Sequence, residues 1–306
     1  LCAMARPRPD LDRARDLLEE GVDVGALFSL ADWHSLRPAL RGLPELARDR
    51  DQAQALRAAF DAFARPHALR TLTIADELLR IADAFDTAGL PFLVFKGPVL
   101  ALQLYDGLAQ REYADIDVLV PPHRTESSKA LLATLGYRNL QGDPAFVRTF
   151  LGAQRQVALH RPGFDPAVDL HWAFSGSALP FPLDPGEPWP RLSPVMLGGR
   201  AIPTLAPDDL ALLLSGHGTK EAWIKLGWVA DFARLVDRHP ELDWAGLLAR
   251  ARARRSEGHR LNDALAPVHR SPDLCVGDCA VSAGYRQRCH HPVAHNCCSP
   301  CLLYTS

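Results

Sequence analysis

The stretch "REYADIDVLV", residues 111–120, constrains the fold more than any other part of this chain. Its apolar residues run up to Pro121 and Pro122, which stop it, so residues 116–120 read as a short buried strand. Side chains two apart on a strand point the same way. Asp115 and Asp117 therefore project together, while Ile116, Val118 and Val120 face a core. Two carboxylates that close repel each other unless a cation lies between them. Magnesium suits the position, because it takes hard oxygen ligands from one or two carboxylates and the rest from water and phosphate. An Asp-x-Asp pair alone is a weak signal, since surface aspartates at strand ends are common.

The surrounding pattern is helical on both sides. Residues 10–88 carry apolar positions at three- and four-residue spacing, with helices predicted over 51–64 and 67–89. Pro66 is expected to open the second helix and Gly89 to cap it, with Leu69, Leu72, Ile74, Leu78, Ile81 and Phe85 forming one face. "LPFLVF" (90–95) reads as a buried strand and "GPVLALQLY" (97–105) as a helix opened by Gly-Pro. A helix follows over 124–137, then a hairpin of strands 153–162 and 166–174. Residues 175–206 form an irregular connection with a strand near "GRAIPTL", and helices are predicted over 207–216, 220–237 and 243–255. The expectation is an α+β fold with a small mixed β-sheet. The regions are N-terminal helices (1–88), a sheet core (89–206), a C-terminal helical region (207–266) and a tail (267–306).

Of the seven cysteines, only Cys2 lies outside the tail, so the body suits a reducing compartment. Cys289, His290, His291, His295, Cys297 and Cys301 have the residue types of a zinc site, but no paired-ligand spacing. The final "CLLYTS" can be back-translated into a transposon-end sequencing adapter, so the tail is read as a non-native or disordered extension beginning after about Ala266. Hydrophobic content of 47% and charged content of 23% are those of an ordinary globular protein. A net charge of -2 argues against a nucleic-acid-coating protein. No apolar run approaches the roughly 18 residues that span a bilayer. "LCAMARPRPD" lacks the apolar segment of a secretory signal, Met4 reads as the start, and a cytoplasmic location without a membrane partner is expected.

Two further features raise the weight of the acid pair. Asp169, in "AVDLHW", lies on a second predicted strand between Val168 and Leu170, with His171 on its face and Trp172 turned to the core. Lys96-Gly97 lies at a strand-to-helix junction, where free backbone N–H groups can meet an anion and glycine lets a phosphate approach. In order, "VFKGPVLALQLY", "REYADIDVLV", "VDLHW" and "GHGTKEAWIKLGWVADFARLV" resemble an uncharacterised bacterial nucleotidyltransferase family of the polymerase-β-like nucleotidyltransferase superfamily. The wider superfamily has Gly-Ser where this chain has Lys96-Gly97.

The resemblance implies a nucleotidyltransferase core that moves a nucleoside monophosphate, AMP by first expectation, from a nucleoside triphosphate to an unknown hydroxyl. Two Mg2+ ions would be held by Asp115, Asp117 and Asp169, the last also helping to deprotonate the acceptor. Lys96, Gly97, Arg111 and Lys220 would bind phosphate, with His171 and His217 behind them. Asp231, Trp223 and Trp228 are read as packing residues. The alternative is a non-catalytic nucleotide-binding or protein-partner module, antitoxin-like, that retains the fold.

Overall fold

The computed structural model describes residues 1–139, 154–176 and 181–254. The cysteine-rich tail and both readings of it lie outside the described residues. Three helices lead in: α1 (Cys2–Ala5), α2 (Leu11–Glu19) and α3 (Val24–Trp33). The long helix α4 (Arg50–Thr87) follows, capped by the Asp49 side chain, which accepts from the Gln52 N–H at 2.7 Å. The helix break expected at Pro66 does not occur. Proline removes one N–H and crowds the carbonyl four residues back. Both Pro66 and Ala62 are exposed, so water can take that carbonyl. The expected apolar face is also corrected: Leu69 and Leu72 are each 59% exposed. At about 100° per residue they fall opposite Ile74, Leu78, Ile81 and Phe85, which are fully buried together with Thr71 and Ala82.

The sheet contains β1 (Leu93–Val94), β2 (Asp115–Leu119), β3 (Gln156–Arg161) and β4 (Phe164–His171), in the order β1-β2-β4-β3. Helix α5 (Gly97–Leu104) connects β1 to β2, and α6 (Thr125–Thr134) follows β2. The β3–β4 hairpin then lays β4 parallel to β2, with Asp117 opposite Asp169 and Leu119 opposite His171. A second hairpin pairs β5 (Val195–Leu197) with β6 (Arg200–Ile202). Helices α7 (Pro207–Lys220), α8 (Leu226–Arg238) and α9 (Trp244–Ala253) close the described chain. The architecture is the α+β fold with a small mixed sheet that the sequence predicts.

Strand alternation sends the two sheet faces into different cores. Ile116, Val118, Val120, Val168 and Leu170 pack against the second half of α4. Leu119, on the aspartate face, joins Leu93, Phe95, Leu100, Leu213 and Phe232 beneath α5, α7 and α8. The first half of α4 carries a third core of Leu18, Ala31, Leu40 and Leu56.

Helix α7 runs unbroken through Gly216 and Gly218, and the chain turns instead at 221–225, so the predicted helix boundary at 216–220 is corrected. The glycines are there for close approach. A Cβ at Gly218 would sit 2.4 Å from the Trp223 ring. Gly218→Ala is expected to cost about 1–3 kcal/mol by overpacking, seen as a lower urea midpoint with an unchanged slope. An unaltered midpoint would show that Trp223 moves aside freely.

Candidate functional site

Strand register puts Asp115 and Asp117 of β2 on one sheet face with Asp169 and His171 of β4. That face is roofed by α5, α7 and α8, so Asp115 and Asp117 open into a cavity of about 560 Å³ rather than onto a free strand edge. Asp117 is 2% exposed. Its Oδ1 lies 3.1 Å from His171 Nε2 and 3.4 Å from Lys96 Nζ. Its Oδ2 is buried and has no hydrogen-bond partner among the described residues.

The electrostatics follow from crowding. Burial raises Asp117, but the Lys96 ammonium and the hydrogen bond from His171 outweigh it and hold this carboxyl well below the usual range. Burial, then the Asp117 charge, push Asp115 up to about 6. The same two causes raise Asp169. One ionised carboxylate therefore faces two that resist ionisation, with one lysine against them.

Single ligand atoms of Asp117, Asp169 and His171 lie within 4.8 Å of one another. A hard oxygen pair with an imidazole, one oxygen of it buried and unsatisfied, fits a divalent cation. His171, expected behind the metal residues, thus stands in the trio, while Asp115 faces the cavity beside Asp117.

The Lys96-Gly97 turn lines the cavity as the sequence suggests. Gly97 has a left-handed backbone (φ 55°), and a Cβ there would stand 3.0 Å from the Asp115 carbonyl oxygen. Glycine is what lets this turn lie against the acid strand.

Arg111 also reaches the cavity wall, but its guanidinium is committed. Nε and Nη2 donate to Asp231 at 2.9–3.1 Å. Asp231 also accepts from Tyr105 Oη at 2.7 Å, so it is a buried charge partner as well as a packing residue. His217 lines the cavity edge-on to Trp228, with ring centroids 5.1 Å apart. Burial, helped by the Lys96 charge, takes its pKa down to about 3, so the ring is neutral.

Lys220 is not brought to this cavity. It pairs with Glu221 at 3.3 Å, and the lysine on the wall is Lys225. Lys220 is the last residue of α7, whereas Lys225 caps the start of α8 after the turn at 221–225. Trp228, read as packing, is also part of the wall.

Sequence reasoning gave no sign of the wall drawn from the N-terminal helices: Asp32, Ser35, Arg37, His67 and Arg70. Arg37 is held by Glu112, whose carboxylate accepts from its backbone N–H at 2.9 Å and from Nε at 3.0 Å. A contact between residues that far apart in the chain leaves no local pattern.

Among the described residues no helix is long and apolar enough to cross a membrane. No curated protein matches the chain. Solved structures that resemble it include the following three. A crystal structure of ANT(2")-Ia in complex with adenylyl-2"-tobramycin shares 15% identity, with a TM-score of 0.43 over 60% of this chain and 98% of the other. A solution structure of the antibiotic-resistance factor ANT(2'')-Ia shares 16%, with a TM-score of 0.44 over 65% and 97%. An antigenic nucleotidyltransferase-like protein from Paracoccidioides brasiliensis shares 15%, with a TM-score of 0.38 over 67% and 89%. The family match is what carries the assignment. A family model described as "Uncharacterised nucleotidyltransferase" matches residues 20–260, most of the 306-residue chain, and the chain belongs to that nucleotidyltransferase family.

Proposed function

We propose that the chain moves a nucleoside monophosphate, AMP by preference, from a nucleoside triphosphate to a hydroxyl acceptor, at a site where Asp115, Asp117 and Asp169 hold divalent metal. The observation that carries this reading is the buried, unpartnered Oδ2 of Asp117 in a corner of three carboxylates. An ionised oxygen left so is costly unless a cation meets it.

In the reaction, the acceptor oxygen bonds to the α-phosphorus as the bond from that phosphorus to the α–β bridging oxygen breaks. Pyrophosphate leaves with the electron pair. Asp169, whose proton affinity is raised by burial and by Asp117, takes the hydroxyl proton. Lys96 bridges from Asp117 towards phosphate oxygens, and the Gly97 turn lets them approach. His171 fixes the Asp117 carboxylate, and neutral His217 offers a hydrogen bond without adding charge. Divalent ions, when bound, neutralise charge on the attacking and leaving oxygens. In this reading the sheet core, residues 89–206, carries the chemistry, and the helices before and after it supply the walls.

The test incubates the full chain with labelled ATP, CTP, GTP or UTP, magnesium and cell lysate. Label should appear on an acceptor and fall by about 10²–10³-fold in Asp117→Ala. Label transfer that survives this change would sink the metal reading, and magnesium-dependent ATP binding without any transfer would favour the non-catalytic module instead.

A further inference from the structure

We propose that Lys225, with the His34 ring and the Ser35 hydroxyl, forms the corner that holds the pyrophosphate end of the nucleotide. This rests on the nucleotidyl-transfer reading above and replaces Lys220 in it. Ser35 and Lys225 line the same cavity as Asp115 and Asp117. His34 lines an adjoining recess of about 70 Å³ that Ser35, Lys225 and Trp228 share.

The cations of the cavity wall differ in what they face. Lys96 is against Asp117, Arg111 against Asp231, Arg37 against Glu112, and Arg70 against Asp165 at 2.6 Å. Among the described residues Lys225 has no carboxylate within ion-pair distance. Its ammonium instead lies 5.9 Å from the centroid of the Trp33 ring. It is the wall cation whose charge remains available to an anion.

The neighbours of Lys225 are set as donors. The Leu226 N–H donates to His34 Nδ1 at 3.2 Å. In the neutral ring the proton must then sit on Nε2, which becomes a donor. Burial, with the Lys225 charge behind it, keeps the ring neutral. The Gly227 N–H donates to the His34 carbonyl at 3.0 Å, and a Cβ at Gly227 would come within 2.6 Å of that oxygen. The start of α8 is thereby clamped to residue 34, which holds Lys225 beside Ser35. Ser35 itself is in a left-handed conformation (φ 56°) at the end of α3.

An ammonium, an imidazole N–H and a hydroxyl supply three donors suited to phosphate oxygens, and the Glu112 and Asp231 carboxylates that share the recess are each held by an arginine. There the corner meets the charge that develops on the leaving pyrophosphate. The cavity then discriminates triphosphate from monophosphate.

The experiment measures binding of inorganic pyrophosphate, a non-hydrolysable ATP analogue and AMP to the full chain in magnesium. Variants are Lys225→Ala, Lys225→Arg and Lys220→Ala, each checked for an unchanged melting temperature. Lys225→Ala should weaken pyrophosphate and the ATP analogue by about 10-fold or more and leave AMP unchanged. Lys225→Arg should recover most of the loss, Lys220→Ala should be silent, and pyrophosphate should compete with the analogue. The proposal is overturned by wild-type protein that binds no pyrophosphate, by equal pyrophosphate affinity in wild type and Lys225→Ala, or by simultaneous rather than competing binding, which would give the corner to an anionic acceptor. Lys225-dependent pyrophosphate binding in a chain that transfers no label supports the corner and sinks the transfer reading. Transfer that persists with Lys225-independent binding does the reverse.

Discussion

Asp115→Asn is expected to cut nucleotidyl transfer by about 10²–10³-fold and yet to raise the melting temperature of the metal-free protein. The two effects have one cause. Asp115 sits in a desolvated corner beside Asp117 and Asp169, and burial with the Asp117 charge pushes its carboxyl up to about 6. At neutral pH it is ionised against that resistance, which costs the folded state on the order of 1–2 kcal/mol. Asparagine keeps the shape and removes the charge. Magnesium should raise the melting temperature of the wild type by mass action and move that of Asp115→Asn much less. A metal-free variant that melts below the wild type would show that these carboxylates are not in conflict, and the cation site would lose its physical basis.

Glu77→Ala should be the most destabilising single change away from the cavity, by about 3–5 kcal/mol, because it leaves the buried Tyr137 hydroxyl and two arginines without their acceptor. Glu77 is 4% exposed on α4. It accepts from Tyr137 Oη at 2.7 Å, from Arg161 Nη2 of β3 at 2.8 Å and from Arg80 through both Nε and Nη2. It therefore ties the long helix to the sheet edge and to the end of α6. Partial exposure of the two arginines moves the effect towards the lower end of the range. Glu77→Gln keeps the packing and should cost less.

The pH dependence has a definite sign. Burial raises Glu77, but the Arg80 and Tyr137 hydrogen bonds and the arginine charges outweigh it and lower its pKa. The unfolded chain therefore takes up the Glu77 proton first as pH falls. Its contribution is fully present above the ordinary glutamate range and is lost as pH drops through the lowered folded value. Urea midpoints of wild type and Glu77→Gln should converge in acid. Parallel curves across that range would mean that Glu77 is not ionised in the fold.

The elements that local spacing controls were legible. The alternation in residues 115–120 is a property of the pleat, and it placed Ile116, Val118 and Val120 in one core with the aspartates opposite. The hairpin that carries Asp169 followed from two apolar runs around a turn. The stretch from Pro66 misled, because a proline N–H is missing in any context, whereas its cost depends on whether water reaches Ala62. The leucines at 69 and 72 misled because apolar residues also occur on solvent faces. Arg111 read as a phosphate-binding cation because its partner, Asp231, lies on another element.

By itself, then, the sequence determined most of the helices and strands, the shared face of Asp115 with Asp117 and of Asp169 with His171, and the glycine turn at residue 97, since backbone periodicity and steric freedom act between near neighbours; the pairing of β2 with β4 then brought the two pairs together. Only the tertiary structure decided which cations are spent on carboxylates, that Lys225 rather than Lys220 faces the cavity, and that Asp32, Ser35, Arg37, His67 and Arg70 wall it. Charge pairing and enclosure depend on distance in space, and residues far apart in the chain leave no periodic trace of where they will meet.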